Sequence, residues 1–312
     1  MINAQRILVT GGAGFIGSHL CDALIQQGNE IVVIDDLSSG YEDNIAHLSD
    51  IIEFYEQAIE TIDLRKINKL DGIIHLAAQT SVPLSIESFK ASSKTNIEGF
   101  LNVIDFCKNN QLPLVFASSS AVYGNLPRGD DSSLKTDLIS PYAVDKYSME
   151  LYGKTVNLIY QLPNIALRFF NVYGERQDPN SQYSGVISVF INQMKNDMEV
   201  TIHGGHQTRD FIYVSDVVDS IISSMKLLLK TPVFDHVNVL TGKSTSIDDL
   251  FLSLAEHFDY KKHPKYTDLL SGDPIESGGT TVKLKNLLSL NPSDFISLDD
   301  GLLKTINSSV NK

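Results

Sequence analysis

Short apolar runs alternate with longer segments of helical period through the first half of this chain. Arg6–Thr10, Glu30–Asp35, Gly72–Leu76, Pro113–Ser118 and Asn164–Phe169 are apolar and of strand length. Ser18–Gln27, Ser93–Asn109 and Tyr142–Tyr160 lie between them and repeat apolar positions at helical spacing. Strands separated by helices need crossover connections, and crossovers make neighbouring strands parallel. The pattern therefore predicts an α/β fold with a doubly wound parallel sheet. Beyond residue 170 the alternation loosens. Gly174–Ser184 is polar, Val186–Met194 reads as a helix and Glu199–His203 as a strand. Phe211–Val214 reads as a strand that leads into a strongly periodic helix, Asp216–Leu229, and the tail shows no clear strand alternation. The expected organisation is a first domain over 1–170, with 211–240 returning to it, and a smaller lobe over 171–312. Ser308–Lys312 reads as a frayed end.

Composition narrows the class. The chain has 312 residues and a formal net charge of -13, which argues against non-specific nucleic-acid binding. No apolar run approaches the ~18 residues of a membrane span. The N-terminal apolar stretch, Ile7–Val9, runs into glycines, so no secretory leader is expected. Cys21 and Cys107 sit inside predicted helices and form no metal or disulfide pattern; a reducing, cytoplasmic setting is expected.

Chemistry enters at the first strand-to-helix junction. Gly11, Gly14 and Gly17 give the spacing GxxGxxG between a strand and a helix. Glycines permit a tight turn and close approach of backbone to a pyrophosphate, and the helix N-terminus supplies N–H donors. Asp35 and Asp36 end the second strand. An acid there accepts hydrogen bonds from ribose hydroxyls and repels a 2′-phosphate, which selects NAD over NADP. Asp36 suits a solvated turn better than Asp35 does.

Tyr142 and Lys146 lie four residues apart in a predicted helix, so both face one side. An adjacent ammonium favours the phenolate and lowers the tyrosine pKa. The pair is a candidate proton-transfer device.

In order along the chain stand the glycine loop, Asp35-Asp36-Leu37-Ser38-Ser39-Gly40, His75-Leu76-Ala77-Ala78, Ser118-Ser119-Ser120-Ala121-Val122-Tyr123-Gly124 and Tyr142xxxLys146. With that ordered set the chain resembles the extended short-chain dehydrogenase/reductase family. More narrowly it resembles the NAD-dependent nucleotide-sugar epimerases and dehydratases, close to the UDP-hexose and UDP-N-acetylhexosamine 4-epimerases. The resemblance runs from residue 6 to about 220. It implies a Rossmann domain, a C-terminal α/β lobe that binds a nucleotide sugar, tightly held NAD, and a homodimer packed through Ser93–Asn109 and Tyr142–Tyr160. It implies NAD contacts at Gly11, Gly14, Phe15, Ile16, Gly17, Asp35, Asp36, Ser39, Leu76, Ala77, Ala78, Gln79, Asn96, Ser118, Tyr142, Lys146 and Phe170. Ser119, Tyr142 and Lys146 fall at the catalytic positions. Ser81, Ser119, Ser120, Asn171 and Arg209 fall on the substrate side, with Asn171 and Arg209 at the diphosphate. His75 reads as a core histidine, and so does His206.

The departures from the family pattern are informative. Related dehydratases carry an Asp-Glu pair just after the catalytic hydroxyl residue, and decarboxylases keep a Glu; here stand Ser120 and Ala121. Elimination of water then lacks its acid–base pair, which points to a nucleotide-sugar 4-epimerase acting on a UDP-hexose or UDP-N-acetylhexosamine through a transient 4-keto sugar. A 4-keto reductase using NAD(P)H and a non-catalytic dinucleotide-binding protein are the alternatives. The family's arginine before a Gly-Asp is Leu270 here, and no arginine follows Arg209; Lys265 and Lys283 are candidate stand-ins. Glu56-Gln57 replaces a Gly-Asp of the adenine loop, so no cofactor contact is assigned there.

Overall fold

A computed structural model describes residues 4–179, 185–269 and 273–310. Its main sheet has seven strands. In chain order they are β1 (Arg6–Thr10), β2 (Glu30–Asp35), β3 (Ile52–Glu56), β4 (Gly72–His75), β5 (Leu114–Ser119), β6 (Asn164–Phe169) and, after three short strands elsewhere, β10 (Phe234–Val239). The spatial order is β10-β6-β5-β4-β1-β2-β3. The pairs β1–β2, β2–β3, β1–β4 and β4–β5 are parallel, as the crossover argument requires. The fold is Rossmann-like α/β. The strand order reverses between β1 and β4, the switch point at which such sheets take up a ligand.

The central strands carry continuous Val, Ile and Leu because helices cover both faces. Leu8, Val32, Ile34, Ile73, Leu114 and Phe116 meet Phe100, Val103, Ile104 and Cys107 of helix in one buried cluster. Cys21 and Cys107 are both buried, and neither forms a disulfide.

Periodicity marks the β10 stretch only as part of the 211–240 return, and it fails to show two further features. One is β3, whose alternating Ile-Glu-Phe-Tyr-Glu pattern is that of an edge strand with one wet face. The other concerns the single helix expected over Ser93–Asn109. The chain there is α3 (Phe89–Ser93), a π-helical turn over Lys94–Glu98, and α4 (Gly99–Asn110), preceded by α2 (Val82–Glu87) and, at the glycine loop, α1 (Phe15–Gln26). An i→i+5 turn carries an extra residue, and here it sends Asn96 into a buried hydrogen-bond network.

The long helix α5 (Pro141–Tyr160) starts where Ser140 caps the Ala143 N–H at 3.2 Å and Pro141 occupies the first turn. Its buried face is Tyr142, Ala143, Asp145, Lys146, Met149, Glu150 and Gly153. Four of those seven are polar or ionisable, an unusual content for a face turned to a core.

The chain packs as two compact units. One comprises 1–122, 140–168 and 218–237; the other comprises 123–139, 169–217 and 238–312. In the second unit β7 (Asn171–Tyr173) runs parallel to β9 (Thr208–Tyr213), and β8 (Thr201–His203) pairs with a strand at Lys265–Thr267. The helix Val186–Lys195 (α6) and helices over Ile247–Phe258 and Leu298–Val310 complete it. Those last two helices lie in the tail where only the lack of strand alternation was legible. No helix among the described residues is long and apolar enough to cross a membrane.

Beneath β5, Glu150 of α5 accepts from Arg168 Nε at 2.8 Å, Arg168 Nη2 at 2.5 Å and Ser118 Oγ at 2.5 Å. Arg168 is 1% exposed and Glu150 4%. Removing one partner of such a pair leaves the other charged and desolvated. Arg168→Met is therefore expected to lower stability by about 3–5 kcal/mol, while the double variant Glu150→Leu/Arg168→Met costs less than the single. Urea denaturation of the three proteins checks this order.

Candidate active site

The glycine loop is built by steric necessity. Gly11 has φ +71°, and a Cβ there would lie 2.7 Å from the Ala77 backbone nitrogen. A Cβ on Gly17 would lie 2.0 Å from the Gly11 carbonyl oxygen. Gly14 caps α1 with extended backbone and no side-chain hydrogen bond of its own. Phe15 and Ile16 open the helix. Such a cradle fits a pyrophosphate approaching backbone N–H groups.

Asp35 ends β2, 7% exposed. Its Oδ2 accepts the Ala13 N–H and its Oδ1 the Leu37 N–H, both at 2.9 Å. Burial pushes its pKa up, and these backbone donors pull it back. The carboxylate thus braces the glycine loop, with lone-pair capacity left for a further donor such as a ribose hydroxyl. Asp36 instead holds the Ser38 N–H at 3.0 Å and the Ser38 hydroxyl at 2.5 Å, an exposed turn contact. Ser39 is exposed beside it. Gln57 donates its N–H to the Asp35 carbonyl, a structural contact. The donor set fits a dinucleotide: the loop would hold the pyrophosphate, and Asp35 with Ser39 the adenosine.

At the end of β4, Leu76, Ala77, Ala78 and Gln79 run past the loop, and Ala77 donates its N–H to Thr10 Oγ1 at 3.2 Å. His75 is a core residue: its Nδ1 lies 2.7 Å from Thr10 Oγ1. Burial first, then the charge of Lys146, depresses its pKa to about 3. Gln79 is gripped by Asn96, whose Oδ1 accepts its N–H at 2.9 Å and whose Nδ2 donates to its carbonyl at 3.2 Å. Asn96 is 1% exposed, so its amide acts on the β4 end. Ser81 is also committed, capping α2 through the Leu84 N–H at 3.1 Å.

Strand alternation separates the serines at the end of β5. Ser118 faces inward, its hydroxyl on Glu150, and does not line an open pocket. Ser119 points to the other side, accepts the Ala121 N–H at 3.1 Å and hydrogen-bonds with the Tyr142 side chain. Ser120 begins a 3₁₀ turn over Ser120–Tyr123, half-buried.

The Tyr142 hydroxyl does not have the depressed pKa that its spacing from Lys146 predicts. Burial pushes it up to about 12; the Ser119 hydrogen bond pulls it down, and the charge of Asp145 pushes it further up. Lys146 Nζ lies 5.7 Å from the Tyr142 ring centroid and donates to the Ala117 carbonyl at 2.9 Å. Burial lowers the Lys146 pKa to about 8, and Asp145 draws it back up. Desolvation is the largest cause at both groups, because α5 turns both into the core.

In the second unit, Phe170 is buried, tilted against Tyr123 at 6.3 Å between ring centroids. Asn171 Nδ2 donates to the Asp210 carbonyl at 3.2 Å. Arg209 is 7% exposed, with Nη1 on the Thr208 carbonyl at 2.8 Å and Nη2 on Asp273 Oδ1 at 2.5 Å. His206 is not a core histidine: its side chain is fully exposed, 3.1 Å from Asp248, because the Gly204-Gly205 turn at φ +80° and +117° carries it outward. Leu270, where the family's arginine is replaced, and part of the 177–186 loop lie outside the described residues.

Residues 7–239 match the sequence profile of the NAD dependent epimerase/dehydratase family. The chain belongs to this family. Among the epimerase/dehydratase proteins, it is 36% identical over 310 residues to a putative UDP-glucose 4-epimerase of Methanocaldococcus jannaschii, covering 96% of this chain and 97% of that one. Its structure is similar to the UDP-glucose 4-epimerase of Thermotoga maritima solved with UDP-glucose (TM-score 0.91, 35% identity, 98% and 99% of the two chains). It is as similar to the UDP-N-acetylglucosamine 4-epimerase of Methanobrevibacter ruminantium solved with UDP-N-acetylmuramic acid (TM-score 0.91, 36% identity, 99% of each chain). The cofactor of this epimerase/dehydratase protein is NAD.

Three buried charged residues packed around this site escaped the sequence: Asp145, Glu150 and Arg168. The signal was present for the first two, since Asp145 and Glu150 stand three and eight residues after Tyr142 and so share its helix face. The cradle yields a direct test. Gly17→Ala forces its methyl onto the Gly11 carbonyl and is expected to cut NAD retention at least tenfold. Cofactor content after dialysis, measured by absorbance and enzymatic assay of the released NAD, checks it.

Proposed function

We propose that this isomerase-type, NAD-dependent enzyme is a UDP-sugar 4-epimerase that works on a UDP-hexose or UDP-N-acetylhexosamine through a transient 4-keto sugar. The observation that carries the reading is the Tyr142 hydroxyl joined to Ser119 above a buried Lys146, with Ser120 and Ala121 where elimination would need acids. When bound, NAD supplies reversible hydride acceptance at sugar C4. Tyr142, as phenolate, takes the proton of the sugar 4-hydroxyl onto its Oη as the C4–H bond breaks. Ser119 holds the phenol oxygen in place and shares the proton. Lys146 supplies the positive charge that offsets the cost of a buried phenolate. The same groups return the proton when the keto sugar is reduced on its opposite face. Asn171 and Arg209 are assigned to the diphosphate, Arg209 with its charge partly answered by Asp273.

Relatives of equal similarity act on UDP-glucose and on UDP-N-acetylglucosamine by name, so the similarity supports the class and not one sugar. Incubation with UDP-linked gluco and galacto sugars, with and without N-acetyl groups, is expected to interconvert each accepted pair without net NADH. Tyr142→Phe is expected to lower kcat by about 10²–10⁴-fold. Stoichiometric consumption of NADH, read alongside the products, would instead support the 4-keto reductase.

The reading includes a homodimer. Val144, Leu151 and Tyr152 on α5, and Phe89 on α3, are 45%, 49%, 45% and 65% exposed, apolar area that a second copy would cover. Sedimentation velocity is expected to show a dimer, and Leu151→Arg a monomer.

A further inference from the structure

The buried face of α5 carries a carboxylate that the proposed chemistry does not use. Asp145 is 4% exposed. Its Oδ1 accepts from Ser93 Oγ at 2.7 Å and its Oδ2 from Asn96 Nδ2 at 3.2 Å. Both partners are neutral. A desolvated carboxylate held only by neutral donors is costly, and a cation nearby offsets that cost. The next residue is Lys146, itself 2% exposed.

The clamp on Asp145 extends to the cofactor side of the sheet. Asn96 belongs to the π-helical turn over Lys94–Glu98 and also grips both backbone groups of Gln79. Ser92 closes the ring, donating to Gln79 Oε1 at 3.0 Å. A continuous path of hydrogen bonds thus joins the catalytic turn of α5 to the end of β4. π-turns of this kind recur at functional sites because they place one side chain that an α-helix would turn away.

We propose that Asp145 is a positioning residue for the epimerase reaction: clamped by Ser93 and Asn96, it locks the Tyr142–Lys146 turn to the end of β4 and holds Lys146 in its ammonium form. The proposal rests on the assignment of Tyr142 and Lys146 as catalytic. Other charges on the packed elements are engaged elsewhere or exposed. Lys94 pairs with Glu60 at 3.6 Å, Glu150 with Arg168, and Glu87, Lys90 and Glu98 are exposed. His75 of β4 is held neutral. The charge of Asp145 raises the pKa of both Lys146 and Tyr142.

The sign of its removal follows. Without the negative charge, Lys146 loses its proton at lower pH, and so does Tyr142. The whole pH profile of kcat moves toward acid.

The test uses the purified protein with its bound cofactor and two neutral variants, Asp145→Asn and Asp145→Ser. The serine variant avoids setting one amide against the amide of Asn96. The Lys146 titration is read by NMR on ¹³C-lysine-labelled protein, its resonance assigned by loss in Lys146→Met. The midpoint is expected to fall by about one pH unit in both variants, with the alkaline limb of the kcat profile moving the same way. At neutral pH, kcat is expected to fall roughly tenfold while KM stays within about twofold. An unmoved Lys146 midpoint, or a kcat profile merely scaled down at fixed pH, would overturn the proposal and leave Asp145 a packing residue. A parent protein inactive on every UDP sugar would overturn the epimerase reading instead, and the Lys146 titration would still decide the Asp145–Lys146 coupling.

Discussion

The polar face of α5 has to be buried, and the first unit is organised around meeting that demand. Tyr142, Asp145, Lys146 and Glu150 all point into the protein. Each then needs a partner, because an unpartnered buried polar group costs more than its hydrogen bond returns. Ser119 meets Tyr142, Ser93 and Asn96 meet Asp145, the Ala117 carbonyl meets Lys146, and Arg168 with Ser118 meets Glu150. These partners come from β5, β6, α3 and the π-turn. One helix face therefore dictates side-chain identity at four neighbouring elements.

The same burial tunes the chemistry in a direction that pairing alone does not give. Tyr142 and Lys146 each have their charged form disfavoured, the phenol up to about 12 and the ammonium down to about 8. A site so arranged stores two groups in poised states, and a change in local charge shifts both. Asp145 is the fixed negative charge in that balance, and its neutral clamp keeps it from being cancelled by a direct ion pair.

The glycine loop follows a different logic. There the requirement is space, and glycine meets it: a single methyl at Gly11 or Gly17 would strike backbone. Asp35 is fixed by the loop it braces, with its carboxylate held by Ala13 and Leu37 before any ligand arrives. Preorganisation of this kind lowers the ordering cost on binding.

Apolar periodicity determined the strands of the parallel sheet and the helices around it, because continuous Val, Ile and Leu runs have one stable use between two helical layers. Motif spacing along the chain also determined the family, since the glycine loop, Asp35, Ser119, Tyr142 and Lys146 are each local. Edge strand β3 stayed hidden because its wet face breaks the apolar run, and the Lys94–Glu98 π-turn because one extra residue shifts the helical phase only locally, between two helical stretches. Only tertiary structure decided that Ser118 serves Glu150, that Asn96 grips Gln79, that His206 is exposed, and that burial raises the Tyr142 pKa. Those outcomes depend on desolvation and on partners distant in sequence, and neither quantity is written in local spacing.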